Sequence, residues 1–579
     1  MTPLQLSPLL GRLLGVSALL SLTACTLGGG GRSGAPDAFL TSQSMKVGQN
    51  FLSAARPVSA SNGVGPIEND RSNGTAAAND GQPLRVGGQT FARGLGVSAP
   101  SSVDYDLGAQ CRAFTAQAGV DDESGSAGSA TFRVFVDGRQ VFDSGVVRAG
   151  RVRDVNVNVE GAERLRLVVD GARGDASHAV WGDAKLQDCV VYKAPIEVTP
   201  RGSGTLTITG NYRSDDPDVP AIKISTTQPV VIENCVVAGR GHLISTRKEG
   251  AYTTRANVTV RNCRGYGLNP DIRMREPGRF IHLQGAARVD IRNNFLKQTG
   301  GIYLHGGADA PMQRLQIVRN RALNIDGRRS DGKGGWLSAT GSDAQEPFVR
   351  VQFAQLNDVR GVADAEIAWN RVENEPGFSR VEDNISVYES TGVPGKPIRI
   401  HHNLIRGAYA YPATLTGYSG GGIITDGCLS RHVEITDNTV LQTSNHGIAI
   451  ANGEHVVIRG NRVLGTGVLP DGRLAGGADS GIYVRWARNC SQAGVNLSTN
   501  VVADNTVGFG QPSASDPDRR ADLYVAPNPQ GRALAQQSGN TRVEPTDERI
   551  TRSQPDIIEN AVTEWEGLLG SNDVVVGPQ

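Results

Sequence analysis

The phrase Val230-Val231-Ile232-Glu233-Asn234 decides the fold of this chain, because it keeps returning. It recurs as Val258-Thr259-Val260-Arg261-Asn262, Val289-Asp290-Ile291-Arg292-Asn293, Leu315-Gln316-Ile317-Val318-Arg319-Asn320 and Ala365-Glu366-Ile367-Ala368-Trp369-Asn370. It returns again at Ile398 to Asn403, Val433 to Asn438, Val456 to Asn461 and Val501 to Asn505. A second phrase interleaves with it: Gly301-Ile302-Tyr303-Leu304, Asn384-Ile385-Ser386-Val387, Gly422-Ile423-Ile424-Thr425, Gly447-Ile448-Ala449-Ile450 and Gly481-Ile482-Tyr483-Val484. Self-similarity with a period of roughly 20–50 residues marks a solenoid. Aliphatics at every second position mark strands, since successive side chains point to opposite faces and only one face is filled. Strands stacked coil on coil make a parallel β-helix, with aliphatic ladders inside. The asparagines fall at the turns, where an amide can bond the backbone or the amide one coil away.

These repeats resemble the right-handed parallel β-helix of the pectin-lyase-like superfamily. The resemblance implies that fold, but the same coil hosts hydrolases, lyases, adhesins and inert spikes, so activity must be read from outward side chains. Aligning the glycine-led strands puts Gln284, His305, Tyr388, Asp426, Ala451 and Arg485 in one outward column, with Gln352 between His305 and Tyr388. The neighbouring column holds His282, Tyr303, Ser386, Ile424, Ala449 and Tyr483, of which Tyr303 and Tyr483 are candidate sugar contacts. Insertions at 326–347, 408–421 and 465–480 carry Trp336, Tyr409, Tyr411 and Tyr418, and would turn this face into a groove.

Two chemistries fit such a groove. A glycosidase needs a protonated carboxyl beside the leaving oxygen and a second carboxylate, which Asp426 with Glu389, Asp383 or Glu382 could supply, with Asp479 in reserve. A polysaccharide lyase needs a base and a neutraliser for a uronate carboxylate. Tyr388, His305, Arg485, Lys396 or His401 could serve there, and calcium is expected only in that case. Otherwise no cofactor is expected, and no cluster of metal-ligand carboxylates stands out. Thr425-Asp426-Gly427 and Asn445-His446-Gly447 echo two polygalacturonase motifs, while the paired aspartates and the later Arg-Ile-Lys of that pattern are missing.

The chain begins with an address. Arg12 precedes the apolar run Leu13 to Leu22, too short to span a bilayer and the size of a signal-peptide core. The ending Leu22-Thr23-Ala24-Cys25 resembles the bacterial lipobox, which implies acylation of Cys25 and a membrane-anchored lipoprotein at the outer membrane or cell surface. Gly28 to Gly34 reads as a tether. With 58 basic and 58 acidic residues, no long-range field attracts nucleic acid. Six of the seven cysteines then remain for an oxidising compartment. Cys111 and Cys189 lie near the ends of one domain, Cys235 and Cys263 follow the turn asparagines of adjacent coils, and Cys428 and Cys490 are left over.

Between tether and solenoid, Thr131 to Val136, Val152 to Val159 and Leu165 to Val169 alternate between turns, which predicts an antiparallel sandwich. Asp70-Arg71-Ser72-Asn73-Gly74, Phe91-Ala92-Arg93-Gly94-Leu95-Gly96-Val97, Phe132 to Gly138 and Ala179-Val180-Trp181-Gly182-Asp183 resemble the NPCBM carbohydrate-binding module, first described beside glycosyl hydrolase family 98. The chain departs from that pattern at Ser98, where a histidine is usual, and has no tryptophan in the opening segment. Candidate sugar-binding residues are Asn69, Asp70, Arg93, His178, Trp181 and Asp183. Past the solenoid, Ile557, Ile558, Ala561, Val562, Trp565 and Leu568 share one side of a predicted helix that would cover the last coil.

The chain therefore reads as all-β: a signal and lipobox over 1–25, a tether over 26–47, a sandwich over 48–190, a parallel β-helix over 195–530 and a tail with a capping helix over 531–579. The expected partner is a polysaccharide or cell-envelope glycan, bound and processed by glycosidase or lyase chemistry. The alternative is a non-catalytic carbohydrate-binding or surface structural protein.

Overall fold

The computed structural model describes residues 45–74, 77–171, 178–246, 255–306, 311–339, 348–486, 490, 495–527, 531–543 and 556–579. Cys25 and the glycine run lie outside these. Among the described residues no helix is long and apolar enough to cross a membrane.

The alternating segments form the expected sandwich. One sheet orders Val152–Asn158, Ala113–Val120, His178–Cys189, Gly94–Ser98 and Glu68–Asn69, with Gly48–Phe51 also paired to His178–Cys189. The facing sheet orders Arg139–Arg148, Ser129–Val136, Arg164–Asp170, Ser101–Asp106 and Ser59–Ser61. Ala130, Phe132, Val134 and Val136 point inward from one strand, as period two requires. The Trp181 ring lies 5.1 Å from Phe132 and 6.4 Å from Phe114, between the sheets. A Cys111–Cys189 disulfide ties the beginning and the end of this unit.

The repeats then wind into a parallel β-helix. One 11-stranded sheet runs from Ile196–Val198 to Leu523–Val525, every strand parallel to the next. A 20-stranded sheet takes two strands from most coils, and each pairs in register with its equivalent one coil on. Asn257–Arg261 pairs with Arg288–Arg292, for example, and Arg264–Gly267 with Phe295–Lys297. Val230, Val258, Val289 and Leu315 stack as one buried aliphatic ladder.

An asparagine ladder runs beside these aliphatics. Asn294, Asn320, Asn370, Asn403, Asn438, Asn461, Asn505 and Asn540 each donate from Nδ2 to Oδ1 of the next, at 2.9–3.0 Å. All seven of the linking Nδ2 groups also reach a strand carbonyl of the preceding coil, such as Asn403 to Ile367. Asn234, Asn262 and Asn293, aligned with this ladder from sequence, sit one position earlier, with φ of 51–54°. There they take the left-handed turn conformation that asparagine tolerates. The ladder position in their coils belongs to Cys235, Cys263 and Asn294. The Cys263 N–H donates to Asn294 Oδ1, and Cys235 and Cys263 are disulfide-bonded, so a cystine replaces the amide pair in the first coils.

The far end differs from the sequence boundaries. The coils continue past 530, because Ala535–Ser538 and Thr541–Arg542 pair with Asn500–Ala503 and Thr506–Phe509. The helix Asp556–Ser571 forms, but it lies along the side of the stack instead of over its last coil. Ile558, Ala561, Val562 and Trp565 pack on Leu404, Leu441 and Leu464 from three successive coils. These leucines point outward, so they need a cover that the strand pattern cannot provide. Leu568, placed on the buried side from sequence, is 43% exposed. Trp565 Nε1 donates to the His402 carbonyl, and Arg371–Glu566, Arg406–Glu559 and Arg462–Glu564 pairs fix the helix laterally.

The sandwich packs against the first coils. Ala109 meets Ala238, Tyr266, Leu268 and Phe295 in an apolar cluster. Glu160 accepts from Arg264 and from the Tyr266 hydroxyl, and Lys297 Nζ donates to the Glu160 carbonyl at 2.6 Å. Glu163 accepts the Asn269 N–H at 2.6 Å, and burial pushes its carboxyl up to about 7.

Candidate functional site

Strand register defines the outward columns. Gln284, His305, Asn357, Tyr388 and Asp426 pair successively along the 11-stranded sheet. Asn357 replaces Gln352 of the sequence alignment, because the strand Ala354–Asn357 carries the coil between His305 and Tyr388 while Gln352 is buried before it. The neighbouring column runs His282, Tyr303, Gln355, Ser386, Ile424, Ala449, Tyr483 and Tyr524.

Asp383 and Glu382 lie just before the strand Ile385–Tyr388, His446 opens the strand His446–Ile450, and Asp426 closes the strand Gly421–Asp426. Asp383 is buried, and its Oδ1 accepts the Gly421 N–H at 3.1 Å. Burial, reinforced by the negative charges of Glu382 and Asp426, holds the Asp383 carboxyl well above the usual range. Glu382 stays committed elsewhere. It takes Arg380 at 2.7 Å and the Ser419 hydroxyl at 2.5 Å, with Arg350 at 3.5 Å. Asp426 lies in register beside Tyr388, and its Oδ1 accepts the Gly427 N–H at 2.6 Å.

His446 completes the pocket. It is fully buried, and desolvation, aided by the charge of Arg485, brings its pKa down to about 3, so the ring is neutral. Its tautomer follows from its neighbours. Asn445 Nδ2 donates to the carbonyls of Gly477 at 2.7 Å and Tyr418 at 3.3 Å, which turns Asn445 Oδ1 toward His446 Nδ1 at 3.0 Å. Nδ1 therefore carries the proton. The bare Nε2 faces Asp383 Oδ1 at 3.4 Å, placed to accept from a protonated carboxyl. The Tyr483 ring stands 5.3 Å from the His446 ring, and the Arg485 guanidinium lies 4.1 Å over Tyr483 while pairing with Asp479 at 2.7 Å.

Other sequence candidates are placed differently. The Glu389 carboxylate accepts the N–H groups of Cys428 and Leu429, both at 3.0 Å, and so stabilises the turn closed by the Cys428–Cys490 disulfide. That corrects the pairing of Glu389 with Asp426 as an acid–base couple. The lyase set does not converge either. His305 stands three coil steps from Asp426, roughly 14 Å, and Arg485 follows two steps beyond Asp426. His401 bonds Glu366 at 3.0 Å on the 20-stranded sheet, and Lys396 pairs with Asp364 in solvent. Among the described residues no group of three or more His, Cys, Asp or Glu is arranged to hold a metal ion.

The module's candidates divide into three. Trp181 is core, which corrects its assignment as a sugar contact. His178 is buried at the far end of its strand, bonded to Glu123 at 2.8 Å and paired in register with Ser98. The remaining residues gather at one edge. Asp70 takes Arg93 at 2.9 Å and the Gly94 N–H at 3.0 Å, Asp183 takes Lys185 at 2.7 Å, and Asn69 is exposed beside Leu95. Phe51 joins them, with both the Arg93 and the Lys185 cations 5.8 Å from its ring. Sequence reading missed Phe51 and Lys185, although the cation two residues after Asp183 on a strand marks the same face.

The NPCBM/NEW2 domain family matches residues 48–187. A curated protein named "Putative endo-alpha-N-acetylgalactosaminidase", from Renibacterium salmoninarum, is 40% identical over 143 residues, which are 24% of this chain and 9% of that protein's length. Among solved structures, the CBM51 of a Clostridium perfringens GH95 in complex with methyl-galactose is 33% identical over 24% of this chain and 99% of its own, with a TM-score of 0.22. The catalytic domain of a GH87 alpha-1,3-glucanase in complex with tetrasaccharides is 11% identical over 86% of this chain and 100% of its own, with a TM-score of 0.32. Residues 48–187 are thus an NPCBM-type carbohydrate-binding module, carried on a parallel β-helix.

Proposed function

We propose that the β-helix is a glycoside hydrolase that cleaves the polysaccharide its module binds, with Asp383 as general acid and Asp426 as the second carboxylate. The observation that carries this reading is the buried Asp383 carboxyl facing the bare Nε2 of His446 at 3.4 Å. Burial and the charges of Glu382 and Asp426 raise that carboxyl well above its ordinary range. A carboxyl whose proton is held more tightly than usual suits protonation of a glycosidic leaving oxygen, while the second carboxylate activates water or attacks the sugar. Tyr388, beside Asp426, and Tyr483 with Arg485, beside His446, supply hydrogen-bonding groups along the same face.

Lyase chemistry is less well served. Its base and its neutralising cation are several coils apart, and Arg485 already pairs with Asp479. Acylation of Cys25 would anchor the enzyme at the outer membrane or cell surface, with the glycine run giving it reach. Replacement of Cys25 by alanine should then release the protein from membranes.

The test is to incubate the chain with neutral and uronate polysaccharides while following reducing ends and unsaturated-uronate absorbance together. The reading expects reducing ends without absorbance, lost in Asp426→Asn. Absorbance rising with reducing ends would make the protein a lyase.

A further inference from the structure

The insertions beside the acid pocket build a feature that the reaction leaves unused. The buried Arg328 guanidinium lies 4.6 Å from the Trp336 ring centre and 4.9 Å from that of Tyr411. Asp326, fully buried, holds it in a two-pronged pair, with Nε at 3.0 Å and the terminal nitrogen at 2.8 Å. Its other N–H groups reach the carbonyls of Gly377 at 3.1 Å and Phe378 at 2.7 Å. Each nitrogen of the cation is therefore held by at least one hydrogen bond, and the cation holds both rings in turn. Yet Trp336 and Tyr411 remain partly exposed, whereas Trp181 and Trp565 are buried.

The rings are also tied to the pocket. Asp326 Oδ1 accepts the Arg380 N–H at 3.2 Å, and Arg380 donates to Glu382 at 2.7 Å, next to Asp383. A rigid, half-exposed aromatic pair presents an apolar face with polar edges, which suits the C–H face of a pyranose. Charge narrows the ligand further. Arg328, Arg350, Arg380 and Arg485 are each already paired with a carboxylate, and Asp426 and Glu382 would repel an anionic sugar.

We infer that Trp336 and Tyr411 form a stacking subsite for an uncharged pyranose of the glycan that reaches the acid pocket. The inference rests on the hydrolase reading for what happens to that glycan, though not for its binding. The test uses the full chain labelled with 5-fluorotryptophan. Its five tryptophans give separate fluorine signals, and the Trp336 signal is assigned by its loss in Trp336→Phe. Neutral tetrasaccharides of glucose, galactose and N-acetylgalactosamine, and an oligogalacturonate, are titrated while reducing ends are followed in the same samples. The subsite predicts a saturable shift of the Trp336 signal with a neutral glycan, weakened at least about fivefold in Tyr411→Ala. A Trp336 signal unmoved by every neutral glycan, or moved more readily by the oligogalacturonate, overturns it. Release without a Trp336 shift removes the subsite and leaves the hydrolase. A shift without release keeps the subsite and removes the hydrolase.

Discussion

The module and the β-helix each gather charged residues at one place, but in opposite ways. At the module's edge Asp70 faces Arg93 and Asp183 faces Lys185, opposite charges paired in solvent, with the Arg93 side chain 51% exposed. In the β-helix Asp383 and Glu382 are buried side by side, and the partly exposed Asp426 adds a third like charge. Paired surface charges hold turns and offer hydrogen bonds to a ligand, while crowded buried carboxyls retain a proton. The first arrangement suits recognition; the second suits proton transfer. The coil makes the difference, because residues tens of positions apart return to one face at about 4.8 Å per step.

Breaking the crowded cluster should have the largest effect. Asp383→Asn removes the proton donor, and turnover should fall by about 10²–10⁴, measured as initial rates of reducing-end release, with the melting temperature kept or raised. A loss of stability in step with the loss of activity would mean that Asp383 is structural. Next comes the asparagine ladder. Asn403→Ala strips Asn370 Nδ2 of one of its two acceptors and leaves the Ile367 carbonyl and Asn438 Oδ1 each short of a donor. Unpaired buried groups cost about 1–3 kcal/mol each, so urea titration should show a loss of at least about 2 kcal/mol. A neutral result would mean that water substitutes for the amide.

The contact between the two regions offers a smaller effect with a definite sign. Glu163 holds its proton up to about 7 in the folded chain, above the ordinary glutamate value near 4.5. The folded state therefore binds more protons than the unfolded one between those values, and stability falls as pH rises through that window. Glu163→Gln should flatten the slope and raise the melting temperature at pH 8 relative to wild type, while changing little at pH 4. The smallest effect belongs to the module's edge. Arg93→Ala should alter stability by less than about 1 kcal/mol and leave turnover of soluble oligosaccharides within about twofold. Its expected phenotype is weaker retention on an insoluble polysaccharide, read by a pull-down. Unchanged retention would move the module's glycan site away from this edge.

Much of the fold was legible because period-two aliphatics and turn asparagines are local signals. The cysteine pairs followed from stacking for Cys235 and Cys263, from domain ends for Cys111 and Cys189, and from what remained for Cys428 and Cys490. The strand Ala354–Asn357 was hidden, since Ala-Gln-Leu-Asn lacks the leading glycine and the bulky aliphatic of its neighbours. The side-on helix was also hidden. Leu404, Leu441 and Leu464 interrupt no pattern in one dimension, and only stacking shows that they form an outward apolar stripe. At the candidate site, Asp426 and Asp383 could be named as partners, but Glu389 ranked equally until its carboxylate was found on two backbone N–H groups. His446 had registered only as a motif echo, because its role depends on the Asn445 amide that sets its tautomer.

The most direct measurement is the pH dependence of reducing-end release from neutral polysaccharides by wild type and Asp383→Asn. The account predicts activity in wild type that falls as pH rises through the raised pKa of Asp383, where the acid loses its proton, and little activity at any pH in the variant. Equal turnover in Asp383→Asn, or no reducing ends from any neutral glycan while the chain still binds one, would contradict it and leave a surface carbohydrate-binding protein.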